Sequence, residues 1–281
     1  MIKRFQFLAV LLLLAGCGGR EPAKIDGPVE RIISLAPGLT EIVYSLDLGD
    51  KLVGATTWCN YPEAARAVPR MGGFGQFNFE AMVAARPDLV IVHEQYAVEK
   101  ARLDDLGIPY VETNTRSINE IRASIHAIGE ACGAEERAQA VVARIDAARR
   151  TAQDKKRPDP LPRVLIVIGG EVVDPVYAIG LQSLHHEVLT LAGGENVVKN
   201  NLPNSILSRE AIMRLNPEVI IQLAPGTSPD ADPAAAWSEL SSVEAVRNKR
   251  VYVLAGDHVS IPGPRVAQII DDFTEIIESY E

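Results

Sequence analysis

The sequence lacks the local motifs of the common nucleotide-dependent enzymes and serine hydrolases. It contains no GxGxxG dinucleotide fingerprint, no phosphate-binding loop with its lysine, and no GxSxG nucleophile elbow. No short segment pairs a nucleophile with a base, as covalent catalysis requires. We therefore predict a protein that is not an enzyme and that carries no cofactor.

The chain also lacks an excess of basic residues. It has 28 Lys and Arg against 37 Asp and Glu, with a formal net charge of −9. Nucleic acid binding depends on clustered cations that neutralise phosphates, so we expect no nucleic acid partner. A net negative charge instead favours solubility.

Cysteine is scarce, with three in 281 residues. Cys17 follows an N-terminal apolar run, which leaves Cys59 and Cys132 in the body of the chain. An even number in an oxidising compartment is compatible with a disulfide. The sequence leaves open whether these two are bonded or remain free thiols, because spacing does not give the distance between their Cβ atoms.

The N-terminal apolar run is too short to span a bilayer comfortably. Lys3 and Arg4 precede it, and it ends in Leu14-Ala15-Gly16-Cys17, which resembles the lipobox of bacterial lipoproteins. The resemblance implies a signal peptide over residues 1–16, a lipid on Cys17 and a tether over residues 17–29. We expect an extracytoplasmic protein anchored by lipid to the cell membrane, or to the outer membrane facing the periplasm.

One short unit is written twice in the chain, at residues 79–92 and 209–221. Glu80 and Glu210 each begin a helix-like stretch, with a proline seven residues later, then an acid and an apolar β-branched run. A repeated unit indicates two similar lobes. A cleft between lobes is a common place for a small ligand.

Strand-like and helix-like segments alternate before and after one long helical stretch. This pattern predicts an α/β fold with two Rossmann-like lobes and mostly parallel sheets. We place the first lobe at residues 30–133, one connecting backbone helix at 134–157 and the second lobe at 158–281. We also predict that Thr40 caps the first helix and that residues 237–246 form one helix.

An ordered set of short motifs resembles the helical-backbone (class III) ABC-transporter substrate-binding proteins, and within that family its cobalamin-binding members. The set spans nearly all of the chain beyond the signal. Its members are Arg31-Ile32-Ile33-Ser34-Leu35-Ala36-Pro37, Thr40-Glu41, Asn60-Tyr61-Pro62, Asn78-Phe79-Glu80, Arg86-Pro87-Asp88-Leu89-Val90-Ile91, Gly193-Gly194-Glu195-Asn196, Ser208-Arg209-Glu210 and Pro264-Arg265.

The resemblance implies a monomer that captures a corrinoid or another large metal chelate between its lobes and delivers it to an ABC permease with its ATPase subunits. Family members present one Glu on each lobe to the permease, and Glu80 and Glu210 match those positions. The resemblance and the side-chain chemistry also suggest a set of ligand-binding residues. Each either stands at a pocket position of the family or supplies a flat or hydrogen-bonding group: Trp58, Phe74, His93, Tyr96, Asn204, Asp257 and His258.

The sequence is compatible with more than one ligand, because several pocket positions differ from those of the cobalamin-binding members. Trp58 stands where a pocket Tyr is expected, Asn204 replaces a Trp, and Ile261 falls where a pocket Arg is expected. Relatives bind haem or ferric siderophores, so either is an alternative to a corrinoid. We interpret the adjacent His185 and His186 as structural or exposed, since neighbouring helix residues point in different directions. No resident metal site is predicted.

Overall fold

The computed structural model describes residue 25 and residues 27–73, 75–169, 175–226 and 236–280. The predicted signal peptide, the lipidation site Cys17 and the predicted pocket residue Phe74 lie outside these ranges. Within them, no helix combines the length and apolar character needed to cross a membrane.

The first lobe is built on a parallel four-stranded sheet with the order β2-β1-β5-β6. A short antiparallel pair, β3 and β4, lies apart from it. The elements are β1 Ile32–Ser34, α1 Pro37–Ser45, β2 Leu52–Ala55, β3 Gly72–Gly73, β4 Gln76–Phe77, α2 Phe79–Ala85, β5 Leu89–His93, α3 Ala97–Leu106, β6 Tyr110–Thr113 and α4 Ile118–Cys132.

The second lobe has a mixed sheet with the order β10-β8-β7-β11-β12, and β9 also pairs with β7. Strand β8 is antiparallel to both of its neighbours, whereas β9, β11 and β12 run parallel to the strands they pair with. The elements are β7 Arg163–Ile168, β8 Val176–Ile179, α6 Leu184–Ala192, β9 Glu195–Asn196, β10 Asn204–Leu207, α7 Arg209–Leu215, β11 Val219–Leu223, α8 Glu244–Arg247, β12 Val251–Leu254 and α9 Val266–Glu278.

One helix, α5 (Glu135–Asp154), connects the two lobes over 20 residues, or about 30 Å at about 1.5 Å per residue. It packs against α4 of the first lobe and against α6 and α9 of the second. Its buried face carries small and branched apolar side chains at helical spacing, namely Ala138, Val141, Val142, Ile145, Ala148 and Ala152. One of the apolar core clusters therefore runs from the first lobe through α5 into the second.

The repeated unit adopts the same local structure in both lobes. Asn78 caps α2 and Ser208 caps α7, each through its side-chain oxygen. Both helices end in a left-handed residue, Arg86 with φ 45° and Asn216 with φ 41°. A strand of the same sheet then follows each helix, so the sequence repeat is a structural one.

Each lobe also fastens this unit with an arginine at the start of its first strand. Arg31 donates from Nε and Nη2 to the carbonyl of Ala85, and the Asp88 carboxylate accepts its backbone N–H at 2.9 Å. Arg163 donates to the carbonyl of Leu215, and Glu218 accepts its backbone N–H at 2.8 Å. These bonds satisfy carbonyls at the end of a short helix, which that helix cannot satisfy internally.

Two predictions about secondary structure are wrong. Helix α1 begins at Pro37 after Ala36, so Thr40 lies inside the helix, where its hydroxyl donates to Ser34 Oγ at 2.9 Å. A proline at the first helical turn is a better start signal than a threonine three residues later. Residues 237–246 do not form one helix, because a 3₁₀ turn at Ser238–Leu240 and α8 share that segment.

The possible disulfide between Cys59 and Cys132 is not formed, since both are free thiols. Cys59 is buried, with its Sγ 3.0 Å from the Thr56 hydroxyl, and Cys132 is the last residue of α4. Both pack in the apolar core, and burial raises the pKa of the Cys132 thiol to about 11. They serve as small apolar side chains. Val29, assigned to the tether, is buried in the same core.

Candidate functional site

A cleft of about 380 Å³ lies between the two lobes. The first lobe contributes residues that follow the ends of β5 and β6, namely His93 to Gln95 and Asn114 to Arg116. The second lobe contributes residues from the ends of β7 and β8, the start of α6 and the loops before β10 and α9. Ligands of α/β proteins commonly bind at the carboxyl ends of parallel strands, which is the edge that opens here.

The two walls of the cleft differ in chemistry. Among the described residues, the aliphatic side chains and prolines of the lining all come from the second lobe: Ile168, Ile179, Leu184, Pro203 and Pro262. The first-lobe wall is polar. Four amide side chains face the cleft from both lobes: Gln95, Asn114, Gln182 and Asn204.

The charges on the first-lobe wall neutralise each other. Glu94 accepts a hydrogen bond from Asn114 Nδ2 at 2.7 Å and forms an ion pair with Arg116. Arg116 is the only Lys or Arg among the described lining residues. The described part of the lining therefore offers amide and hydroxyl groups, and its one cationic side chain is paired.

Two imidazoles, one on each wall, complete the site. His93 stands at the end of β5, with Nδ1 3.4 Å from Thr113 Oγ1, and His185 is the second residue of α6, with Nε2 2.6 Å from the Val259 carbonyl. Burial lowers the pKa of both rings. Both are therefore neutral at neutral pH and keep one ring nitrogen as an acceptor.

The lobes meet at the base of the cleft through close backbone contact. A Cβ built on Gly38 of α1 would lie 2.0 Å from the carbonyl oxygen of Pro262, and one on Gly263 would lie 3.1 Å from Gly38 Cα. Only glycine allows the two chain segments to approach this closely.

A buried ion-pair network joins the lobes next to this contact. Arg265 donates from Nε to Glu41 Oε2 at 2.8 Å and from Nη1 to Asp257 Oδ1 at 2.6 Å, and its guanidinium lies 3.8 Å from the centre of the Tyr61 ring. The side chains of Arg265 and Glu41 are 10% and 2% exposed. The hydrogen bond from Arg265 lowers the pKa of Asp257.

The structure brings only some of the predicted pocket residues together. His93 and Asn204 line the cleft. Tyr96 packs edge-on against Phe77, with ring centres 5.2 Å apart, and Trp58 is 55% exposed on the loop after β2. Asp257 is bound to Arg265, and His258 is bound through Nε2 to Asp272 at 2.8 Å.

Sequence reasoning missed several lining residues, among them Asn114, Gln182 and His185. His185 was interpreted as structural or exposed, and the structure places it in the first turn of α6 at the cleft edge. The available signal was its position two residues after Ser183, a residue type that often caps helices, because helix starts in α/β folds lie on the ligand side of the sheet.

Glu80 and Glu210 occupy equivalent, solvent-exposed positions in the first turns of α2 and α7. A carboxylate in a first helical turn is favoured by the helix dipole. Hydrogen bonds from Ser208 and from its own backbone lower the pKa of Glu210. Each lobe thus displays one anionic group on the same structural unit.

Comparison with known proteins identifies relatives along nearly the whole chain. A family model described as periplasmic binding protein matches residues 32–257. The uncharacterized ABC transporter substrate-binding lipoprotein YvrC of Bacillus subtilis (strain 168) is 32% identical, over 99% of this chain and 98% of the relative.

Two solved structures illustrate the range of ligands among similar folds. The periplasmic vitamin B12 binding protein BtuF of Vibrio cholerae is 26% identical, with a TM-score of 0.75 over 90% of this chain and 98% of that one. The periplasmic heme-binding protein RhuT from Roseiflexus sp. RS-1 is 24% identical, with a TM-score of 0.74 over 90% and 99%. At that identity the second likeness shows the fold alone.

Proposed function

The chain belongs to the periplasmic binding protein family and is a substrate-binding protein of an ABC transporter, and from that premise we propose that it captures a corrinoid in the interlobe cleft. We further propose the lobe boundaries 30–133, 134–157 and 158–281, a monomeric binding unit, and a lipid anchor on Cys17. The Bacillus subtilis relative is named as a lipoprotein, which supports the anchor.

The observation that carries the corrinoid proposal is the composition of the cleft. A corrinoid presents a large apolar ring edged with neutral amide side chains, and amide groups pair well with the amides of Gln95, Asn114, Gln182 and Asn204. The aliphatic second-lobe wall supplies a surface for the ring. The similar fold of the vitamin B12 binding protein of Vibrio cholerae supports this ligand class.

Haem is the second candidate, because neutral imidazoles are common iron ligands and His93 and His185 both line the cleft. Haem carries two carboxylates, however, and Arg116 is already paired with Glu94. An anionic catecholate siderophore has the same difficulty. Neutral ligand groups therefore suit the cleft better than anionic ones.

A titration with a matched pair of variants tests the proposal. Ile168 is 40% exposed and lines the cleft, whereas Ile206 is 63% exposed and is absent from the lining. We expect Ile168→Glu to weaken cyanocobalamin binding at least tenfold in calorimetry, because the carboxylate would be desolvated under the ring. Ile206→Glu should bind as the wild type does.

Wild-type protein that binds hemin but no corrinoid would shift the assignment to haem. Equal affinity of the two glutamate variants for cyanocobalamin would contradict the use of this cleft. Thermal shift with both ligands gives an independent readout, since a ligand that binds only the folded state raises the melting temperature.

We also propose that Glu80 and Glu210 dock the protein on its permease. Two carboxylates on separate, rigidly fastened units give a two-point electrostatic contact with cationic groups. The double variant Glu80→Ala with Glu210→Ala should keep its cyanocobalamin affinity and lose uptake through the cognate transporter. Loss of ligand affinity in that variant would contradict a docking role.

A further inference from the structure

The imidazole of His185 is fixed in one tautomer by the protein. Its Nε2 lies 2.6 Å from the backbone carbonyl of Val259, and a carbonyl oxygen can only accept a hydrogen bond. Nε2 therefore carries the hydrogen, and Nδ1 keeps its lone pair. The backbone N–H of His185 is bonded to Ser183 Oγ at 3.2 Å, which anchors the residue at the start of α6.

The surroundings of the ring keep it neutral and in place. Phe273 of α9 lies beside it, with ring centres 6.3 Å apart, and burial lowers the pKa of the imidazole. An imidazole whose N–H is held by a backbone carbonyl is the usual arrangement of a metal-binding histidine, because the bond orients the ring and increases its basicity. No proton competes for Nδ1 at neutral pH.

His185 is the imidazole on the apolar wall. Leu184, Ile168 and Ile179 line the same side of the cleft, so a flat macrocycle lying on that wall would bring its central metal towards this side. No described group of three or more His, Cys, Asp and Glu side chains is arranged to hold a metal ion by itself. A single imidazole suits a metal whose other positions are already filled by a macrocycle.

We propose that His185 supplies an axial ligand, through Nδ1, to the metal of a cobalt corrinoid bound in the cleft, a role that rests on the function proposed above. The step is a ligand exchange. The Nδ1 lone pair forms a bond to the metal, and the water on that face of the metal leaves. Neither a proton nor an electron is transferred.

His93 on the opposite wall is the competing candidate within the cleft. Thr113 donates its hydroxyl hydrogen to the Val92 carbonyl at 2.9 Å, so its oxygen can accept from His93 Nδ1, but at 3.4 Å. That contact is long for a hydrogen bond and orients the ring less firmly than the 2.6 Å contact of His185. The geometry therefore favours His185.

The test uses aquacyanocobinamide, a corrinoid with an exchangeable axial water and no internal base. Binding is measured by calorimetry and axial ligation by the visible absorption spectrum, with wild-type protein and the variants His185→Gln, His93→Gln and His186→Gln. Glutamine at 185 can still donate to the Val259 carbonyl, so the helix start is preserved. His186, the next residue of α6, lines a neighbouring hollow and is the matched control.

We expect the wild type and the control His186→Gln to bind cobinamide and shift its spectrum. His93→Gln alters the opposite wall and can lose affinity, but at saturating protein it should still show the shift. His185→Gln should bind roughly tenfold more weakly and leave the spectrum unshifted. Binding without a shift in the wild type would overturn the ligation and leave the corrinoid function intact, whereas no binding at all would refute the function itself. A shift lost only in His93→Gln would assign the ligand to the other wall and overturn the proposal.

A second measurement identifies the donor atom directly. With the cobalt(II) form of cobinamide, electron paramagnetic resonance should show coupling to one axial nitrogen in the wild type. Labelling the histidines with ¹⁵N should change that splitting. An unchanged spectrum after labelling would mean that no histidine is bound to the metal.

Discussion

The two lobes share the repeated helix-and-strand unit but differ in the walls that they contribute to the cleft. In both, a capped short helix ends in a left-handed residue and is fastened by an arginine, Arg31 in one lobe and Arg163 in the other. The cleft walls are not alike, since one is polar and the other carries the aliphatic side chains. The repeated unit thus stabilises both lobes in the same way. The two cleft walls differ in chemistry, as binding of an asymmetric ligand would require.

The largest expected effect comes from breaking the connection between the lobes. Arg265→Ala leaves the Glu41 carboxylate, 2% exposed, without its partner. Removing one member of a buried pair costs about 3–5 kcal/mol, so we expect a melting temperature lower by roughly 10 °C. Calorimetric unfolding measures this.

An exposed pair within one lobe provides the control for that variant. Lys199 and Glu195 form an ion pair at 2.7 Å with both side chains about half exposed. Lys199→Ala should change stability by no more than about 1 kcal/mol. Equal losses of stability in Arg265→Ala and Lys199→Ala would show that the interlobe ion pairs contribute no more than an exposed pair does.

The repeated unit and the connecting helix were predictable from the sequence. The repeat at 79–92 and 209–221 predicted α2 with β5 and α7 with β11, and the long helical stretch at 134–157 predicted α5. Local periodicity and capping residues carry such information. Thr40 was misread as a cap because Pro37, three residues earlier, is the stronger signal for the start of this helix.

The cleft was less predictable, because its lining comes from segments far apart in sequence. His93 and Asn204 were found through strand ends and the family resemblance. Gln182 and His185 belong to none of the motifs that carry the family resemblance, and they reach the cleft at the start of α6, which packs against α5 and α9. The partnership of Arg265 with Glu41 spans 224 residues and has no local signature.

The equivalence of the two lobes can be tested through the fastening arginines. Arg31→Ala and Arg163→Ala each leave helix-end carbonyls without their donors, which costs about 1–2 kcal/mol. We expect similar losses of stability, each accompanied by faster hydrogen exchange in α2 or α7 respectively. If only one variant loses protection in its helix, the two units are not equivalent.

The asymmetry of the walls can be tested with two glutamines. Gln95 lies on the polar wall and Gln182 on the other, and both are exposed to the cleft. Each alanine variant should weaken cyanocobalamin binding about fivefold, or about 1 kcal/mol, through a lost hydrogen bond. Gln139→Ala, on the exposed face of α5, should bind as the wild type does.

The smallest expected effect is on the pH dependence of stability. The pKa of His185 is lowered in the folded protein, so below about pH 6.5 the unfolded chain binds more protons at this residue. The free energy of unfolding should therefore fall as the pH drops from about 6.5 towards the folded pKa. Urea unfolding at pH 7.5 and 5.0 should show a smaller decrease for His185→Gln than for the wild type; an equal decrease would contradict the buried neutral imidazole.

Hydrogen exchange with and without cyanocobalamin tests the central claim most directly. A corrinoid held between the lobes should slow exchange in both walls at once, at residues 93–95 and 114–116 of the first lobe and at 182–185 of the second. Protection confined to one lobe, or located away from the cleft, would contradict the account.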